Sequence, residues 1–382
     1  MSVEQSGDAP AAALDLTGQK VWVMAKGYHP DEGGMQTYAA GVAEAYARIG
    51  AEVTVFTQTS AGPRRERCGQ VDLIDIGAGG GPAVPARFLA AMRTERGRAG
   101  PPLFVHGTTW RTSLIPLLLG VPYLTTFHGR EFMGNGAIIK AVMRRVAAKA
   151  RCIVTVSAYS AGKLRARLGE DIVPIVAHNG VSVPLAETTE ATASEPPLLF
   201  SLCRLEPRKN IGACVRACAR LKQQGLAFRY VIAGRGPELE AIRAMVEELD
   251  LAQDVCVAGF VSDQEAVSLH REAQVFLHPQ IEIAGGRDFE GFGIVIADAM
   301  ASRTAVIVGR EGGAAELVNQ GSSGLVVDGR SGDDLVAALG SLLRDADLRA
   351  NMAKFAEACA RARFSWDRHV AIILQALEKG SV

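Results

Sequence analysis

The sequence predicts an α/β protein of two doubly wound domains with a cleft between them. Three observations predict it. Short β-branched runs alternate with amphipathic helical stretches along most of the chain, as in parallel sheets covered by helices on both faces. The alternation stops once, at the polar, threonine-rich stretch from Pro184 to Pro197, and then begins again. With 382 residues and 48% apolar content, the chain is ample for two domains, each with its own core.

Residues 1–18 carry Glu4 and Asp8 and no apolar core of a leader, so they read as a flexible tail rather than a secretory signal. The first domain, residues 19–183, offers strand candidates at Val21–Ala25, Val53–Thr57, Asp72–Ile76, Leu103–His106, Tyr123–Phe127, Cys152–Val156 and Ile175–His178. Helical patterns at Met35–Arg48, Ala137–Ala150 and Ala158–Leu168 lie between them. After the linker 184–197, the second domain, residues 198–363, repeats the pattern. Its strand candidates are Leu198–Cys203, Arg229–Ala233, Val255–Ala258, Val275–His278, Ala305–Val308 and Leu325–Val327. Runs such as Tyr230 to Ala233 are apolar throughout, as expected of strands buried on both faces. The last segment, residues 364–380, is an amphipathic helix.

Composition removes several classes of function. Lys plus Arg and Asp plus Glu both number 41, and this zero net charge argues against nucleic acid as a partner. No run of about 18 apolar residues is present, so no membrane span is expected. The seven cysteines are scattered without a Cys-x-x-Cys, and Cys214 and Cys218 have no other metal-ligating residues near them in sequence. They read as buried thiols of a cytoplasmic protein. The one Asp-x-Asp, Asp345 to Asp347, sits where two helical patterns join and reads as capping; no metal is expected. The segment from Ile138 to Arg151 is basic and amphipathic. It suits either a solvated helix face or a peripheral contact with the inner face of a membrane.

In open α/β sheets, ligands bind beyond the carboxyl ends of the strands, and the informative motifs fall there. Phe289-Glu290-Gly291-Phe292-Gly293 sets a carboxylate before a glycine-lined turn, and a helix from Gly293 to Ala301 follows. A helix start offers free N–H groups and a positive dipole end to an anion. Arg204 and Lys209 flank the turn after the first strand of the second domain, one a fork for phosphate oxygens and the other a point charge. Gly33 and Gly34 open a helix after the first strand, which allows a ligand close to the backbone. Gly234 begins another strand-end loop, and Phe260 with Val261 follows the next strand, where backbone groups suit a planar base. His106 and His128 each close an apolar run; Arg130 and Glu131 at the same edge favour His128, whereas His178 reads as structural.

The ordered set Gly33-Gly34, Phe127-His128-Gly129, Asn179-Gly180-Val181, Arg204…Lys209-Asn210, Gly234-x-Gly-Pro-Glu238, Gly259-Phe260 and Glu290-Gly-Phe-Gly293 resembles the retaining GT-B glycosyltransferases with the Glu-x7-Glu motif. The resemblance spans about residues 19 to 379. It implies two Rossmann-like domains, with the final helix crossing back to the first. It implies transfer of a hexosyl unit from a nucleotide diphosphate-sugar to an acceptor hydroxyl, with that donor as co-substrate and no cofactor or metal. Gly34 would touch the diphosphate, which Arg204 and Lys209 would neutralise as it leaves. Glu290 would hold sugar hydroxyls, the amides of Gly293 and Ile294 the distal phosphate, and His128 would line the sugar pocket. The second motif acid, which would hold the ribose, is here Asp298, one methylene shorter than the usual Glu. Glu282 and Glu290 also fit Glu-x7-Glu, but the Gly-Phe-Gly turn follows Glu290 and marks it as the first acid. The intervening Gly285-Gly286-Arg287-Asp288 reads as a long loop open to donor, acceptor or solvent. Two other functions share this architecture: a nucleotide-sugar isomerase, and a paralogue that binds nucleotide-sugar without turnover.

Overall fold

The structure is a computed structural model that describes residues 14–379 except 32, 135 and 184–194. Residues 1–13 of the expected tail and most of the expected linker therefore lie outside the described residues. Leu16 is buried at 1% exposure and packs into the first domain's core, so the flexible-tail reading fails for the stretch leading into the first strand.

The first domain runs β1 (Lys20–Met24), α1 (Gly34–Arg48), β2 (Glu52–Thr57), β3 (Arg64–Cys68), β4 (Val71–Asp75), α2 (Ala83–Ala99), β5 (Phe104–Gly107), α3 (Leu114–Leu119), β6 (Tyr123–Phe127), α4 (Ala137–Lys149), β7 (Cys152–Thr155), α5 (Ala158–Leu168) and β8 (Ile175–Val176). Its sheet has the order β3-β4-β2-β1-β5-β6-β7-β8, parallel except for the β3–β4 pair. The second domain runs β9 (Leu198–Leu202), α6 (Ile211–Gln223), β10 (Arg229–Ala233), α7 (Leu239–Glu248), β11 (Val255–Gly259), α8 (Asp263–Glu272), β12 (Val275–His278), α9 (Ile294–Ala301), β13 (Ala305–Gly309), β14 (Leu325–Val327), α10 (Gly332–Arg344) and α11 (Ala346–Arg363). Its order is β11-β10-β9-β12-β13-β14, all parallel. The core strands are apolar and buried on both faces, as helix-covered parallel strands must be.

The edge strand β3 was not expected. Its sequence, Arg-Arg-Glu-Arg-Cys, carries charge where a buried strand would carry Val or Ile, and that charge protects a sheet edge from pairing with another chain. Cys214 and Cys218 are buried free thiols on α6. Asp345 caps α11, its side chain accepting the Leu348 amide at 2.8 Å.

The last helix, α12 (Trp366–Lys379), lies against α1 and β7 of the first domain. Trp366 seats it. The indole Nε1 donates to Val181 O at 3.0 Å, and the ring fills the space left by two glycines. A Cβ at Gly41 would stand 2.2 Å from the indole, and one at Gly180 2.4 Å from the Trp366 backbone nitrogen. Beneath it His369 Nδ1 donates to His178 O at 3.0 Å, so its Nε2 accepts from Tyr38 Oη at 3.0 Å. Tyr38 also meets Thr126 Oγ1 at 2.9 Å and His106 Nε2 at 3.2 Å. His106 is fully buried inside this network, and burial pushes its pKa well down. It is a neutral core residue tying α1 to the sheet.

Gly41→Ala should cost roughly 1–3 kcal/mol, because the added methyl must displace the indole. Gly97→Ala, inside α2 with nothing within 4 Å of its Cβ position, should be neutral or gain about 0.5–1 kcal/mol. Urea midpoints of the two variants check the contrast.

Candidate functional site

Each sheet reverses direction once. In the second domain the chain moves outward through β9, β10 and β11, returns, and builds β12, β13 and β14 on the other side. The reversal falls between β9 and β12, and a crevice opens at their carboxyl ends. Lys209 follows β9 and Glu290 follows β12. In the first domain the reversal falls between β1 and β5. Gly33 and Gly34 follow β1, and Thr108 follows β5.

The crevice of the second domain holds a buried charge cluster. Glu290 Oε2 pairs with Lys209 Nζ, with Arg208 Nη1 at 2.7 Å and with His278 Nε2 at 3.3 Å. Glu290 Oε1 accepts no hydrogen bond from the described residues. Burial alone would raise the Glu290 pKa, but Lys209, His278 and Arg208 outweigh it and hold it well below the usual range. His278 is pushed down to about 4 by burial and by Lys209, so it is a neutral ring donating to Glu290 through Nε2. Sequence reading did not single out Arg208, His278 or Asp288. Arg208 Nε lies 3.3 Å from Asp288 and 3.5 Å from Glu206. Arg204 stands outside this cluster: its side chain is 74% exposed at the cleft and pairs with Glu206 at 2.6 Å.

The other predicted residues divide into those facing the crevice and those holding it together. Gly293, at φ 87, is the left-handed N-cap of α9, so the first-turn amides at Ile294 are presented beside Glu290. Gly33 caps α1 with φ 140, and a Cβ at Gly34 would meet nothing within 4 Å, leaving open space at that helix start. Phe260 is 48% exposed, with the Arg235 guanidinium 4.4 Å over its ring. Val261 beside it is half-buried. By contrast, a Cβ at Gly234 would stand 1.8 Å from Cys203 O, so packing between two strand-end loops already requires that glycine. The Phe292 ring is buried and packs edge-on against Phe364, so its side chain belongs to the core.

The first domain meets this crevice through His128. His128 O lies so near Gly291 that a Cβ there would stand 1.9 Å away. The ring donates from Nε2 to Thr108 O at 2.9 Å, because a carbonyl can only accept. Burial lowers its pKa, so the neutral ring carries its lone pair on Nδ1. Glu131 fixes the loop by accepting the amides of His128 and Gly129 at 2.6 and 2.9 Å. Glu316, in the 3-10 turn Gly313–Leu317, reaches across from the second domain. It accepts the Ala158 and Tyr159 amides at 2.8 and 2.6 Å, at the start of α5.

Asp298 faces the end of the first domain. It is 3% exposed, and its carboxylate accepts the Ser182 amide at 2.6 Å, the Ser182 hydroxyl at 2.5 Å and the Val183 amide at 3.3 Å. Both oxygens thus hold the chain leaving the first domain. Burial raises its pKa to about 6.

Two family models match the chain: "Glycosyl transferase 4-like domain" over residues 33–180 and "Glycosyl transferases group 1" over residues 186–358. The GDP-mannose-dependent alpha-(1-6)-phosphatidylinositol monomannoside mannosyltransferase of Mycobacterium tuberculosis is 30% identical over 279 residues, 68% of this chain and 72% of that one. The D-inositol 3-phosphate glycosyltransferase of Acidothermus cellulolyticus is 27% identical over 90% of this chain and 85% of that one. Among solved structures, sucrose-phosphate synthase from Thermosynechococcus elongatus superposes with TM-score 0.76 at 21% identity, covering 95% of this chain and 98% of that one. Anabaena HepE, in complex with UDP and glucose, superposes with TM-score 0.72 at 18% identity over 95% and 99% of the two chains. The chain belongs to the group 1 glycosyltransferases, with the GT-B fold.

Asp298 makes stability fall as pH rises. The unfolded chain releases this proton near 3.8 and the folded chain near 6, so the folded state holds the extra proton between them. The loss between those values should be on the order of 2–3 kcal/mol. Asp298→Asn keeps the shape and should remove that slope; parallel melting curves at pH 4 and pH 6.5 measure it.

Proposed function

We propose that the protein is a retaining, metal-independent glycosyltransferase that moves a hexosyl unit from a nucleotide diphosphate-sugar to an acceptor hydroxyl. The observation that carries this reading is the buried Lys209–Glu290 pair at the strand reversal. Three cationic or N–H donors converge on one oxygen of Glu290 and leave the other for a sugar hydroxyl. Lys209, the exposed guanidinium of Arg204 and the start of α9 supply positive charge where a diphosphate would depart. Stabilising that departure is an electrostatic task for preorganised groups. The first domain would present the acceptor from the His128 side. Retention follows from attack on the face the diphosphate leaves, with the leaving oxygens placed to take the acceptor proton.

GDP-mannose is the first donor to test, because a relative at 30% identity is GDP-mannose-dependent. That relative acts on a phosphatidylinositol monomannoside, and a surface on α4 suits a lipid-borne acceptor: Ile138 is 81% exposed beside Lys140. Among the described residues no helix is long and apolar enough to cross a membrane, so such contact would be peripheral.

Purified protein in EDTA should slowly release nucleotide from one donor in a panel of GDP-, UDP- and ADP-sugars. Arg204→Ala should lower that release on the order of 100-fold. Its melting temperature should hardly move, because the side chain is mostly exposed. Release that appears only with added Mg2+ or Mn2+ would remove metal independence. No release and no nucleotide binding would overturn the transferase reading, and a new nucleotide-sugar without acceptor would identify an isomerase.

A further inference from the structure

The strands of the second domain arrange the predicted ligand contacts in order. Phe260 follows β11, Gly234 follows β10, Arg204 and Lys209 follow β9, and Glu290 follows β12. On the proposed reading, base, diphosphate and sugar lie along that edge in the same sequence. β13 and β14 come next, and neighbouring strands are about 4.8 Å apart. Their carboxyl ends therefore lie roughly 5–10 Å beyond the sugar carboxylate, one sugar ring further from the base.

A cavity of about 530 Å³ opens there, lined by the loop Glu282–Gly286, by Glu311 after β13 and by Arg330 after β14. The loop is the glycine-rich segment before Glu290. Gly285 and Gly286 run through it at φ 65 and 77, giving a floor of bare backbone. Glu311 Oε2 accepts the Glu282 amide at 2.5 Å, and Arg330 Nε donates to Glu311 Oε1 at 2.8 Å. Arg330 Nη2 also donates to Glu282 O. Lys163 of α5, in the first domain, donates to Gly286 O at 3.3 Å and lies 3.2 Å from Glu282 Oε1. The cavity edge is thus shared by the two domains. Glu282 Oε1 is buried yet accepts no well-aligned hydrogen bond among the described residues. The two carboxylates and two cations balance, so the walls are polar without net charge. Such walls suit hydroxyl groups rather than phosphate, and the volume lies within the roughly 300–1,000 Å³ of small-molecule sites.

We infer that this cavity is an acceptor subsite for a neutral, polyhydroxylated ring, a sugar or cyclitol unit adjoining the hydroxyl that is glycosylated. Glu282 and Glu311 accept its hydroxyl protons, and Arg330 and Lys163 hold the two carboxylates in place. The site rests on the transferase reading for its role, and its binding can be measured without turnover. The probes are methyl α-D-mannopyranoside and myo-inositol, followed by saturation-transfer NMR on the full chain with saturating GDP or UDP. One of them should bind, and Glu311→Gln and Glu282→Gln should each weaken it by about tenfold, the effect of losing a hydrogen bond to a charged group. Acceptor-free nucleotide release should stay within about twofold in both variants. Equal binding to wild type and variants, or no binding of either probe, would overturn the subsite. A parallel fall in nucleotide release would also overturn it, showing that the loop only supports the donor site. Absence of nucleotide release from the wild type, with probe binding intact and sensitive to both variants, would sink the transferase reading and leave the subsite standing.

Discussion

Everything at this site depends on the reversal of strand order in each sheet. Helices after neighbouring strands diverge to opposite faces where the order reverses, and the gap they leave cannot be filled by either. The second domain puts Lys209 and Glu290 on the two strands that border its gap. The first domain puts the bare turn at Gly34 on one bordering strand and the Thr108 carbonyl that orients His128 on the other. Neither domain has a complete site. The close approach of Gly291 to His128 O joins the halves, and only glycine permits it.

The buried charges sharpen this arrangement. Removing ions from water is costly, and an isolated pair seldom recovers the cost. Here the carboxylate of Glu290 is surrounded by Lys209, Arg208 and His278, Asp288 pairs with Arg208, and Glu206 is shared between Arg208 and Arg204. The result is a set of fixed dipoles and charges that does not have to reorganise when charge moves nearby. His278 stays neutral because burial, and then the neighbouring Lys209, disfavour its charged form, so it adds a directed N–H rather than a third charge. The family membership and the geometry agree on the class of chemistry.

The sequence made the two-sheet plan legible because buried parallel strands must be apolar throughout, as Tyr230 to Ala233 is. It also made Glu290 and Lys209 legible, since each abuts a strand end or a glycine turn. What it hid was pairing at long range. Ser182 lies 116 residues from Asp298, and nothing local says that the acid turns toward the chain between the domains. His278 reads only as the last residue of a strand, and Arg208 carries no signal of its own beside Lys209. Their roles appear only when β9 and β12 become neighbours. The charged strand β3 was hidden for the opposite reason: an edge strand does not need the apolar pattern that reveals an inner one.

The carboxylate of Glu316 belongs to one domain, and the helix end it caps belongs to the other. Separating the domains would leave the first turn of α5 without two of its acceptors, a loss of about 0.5–2 kcal/mol. Ser157 alone would then cap the helix. Loss of the Glu316 contact and fraying of α5 would therefore be coupled. A substitution that weakens the first turn of α5 would by the same linkage weaken the contact between the domains.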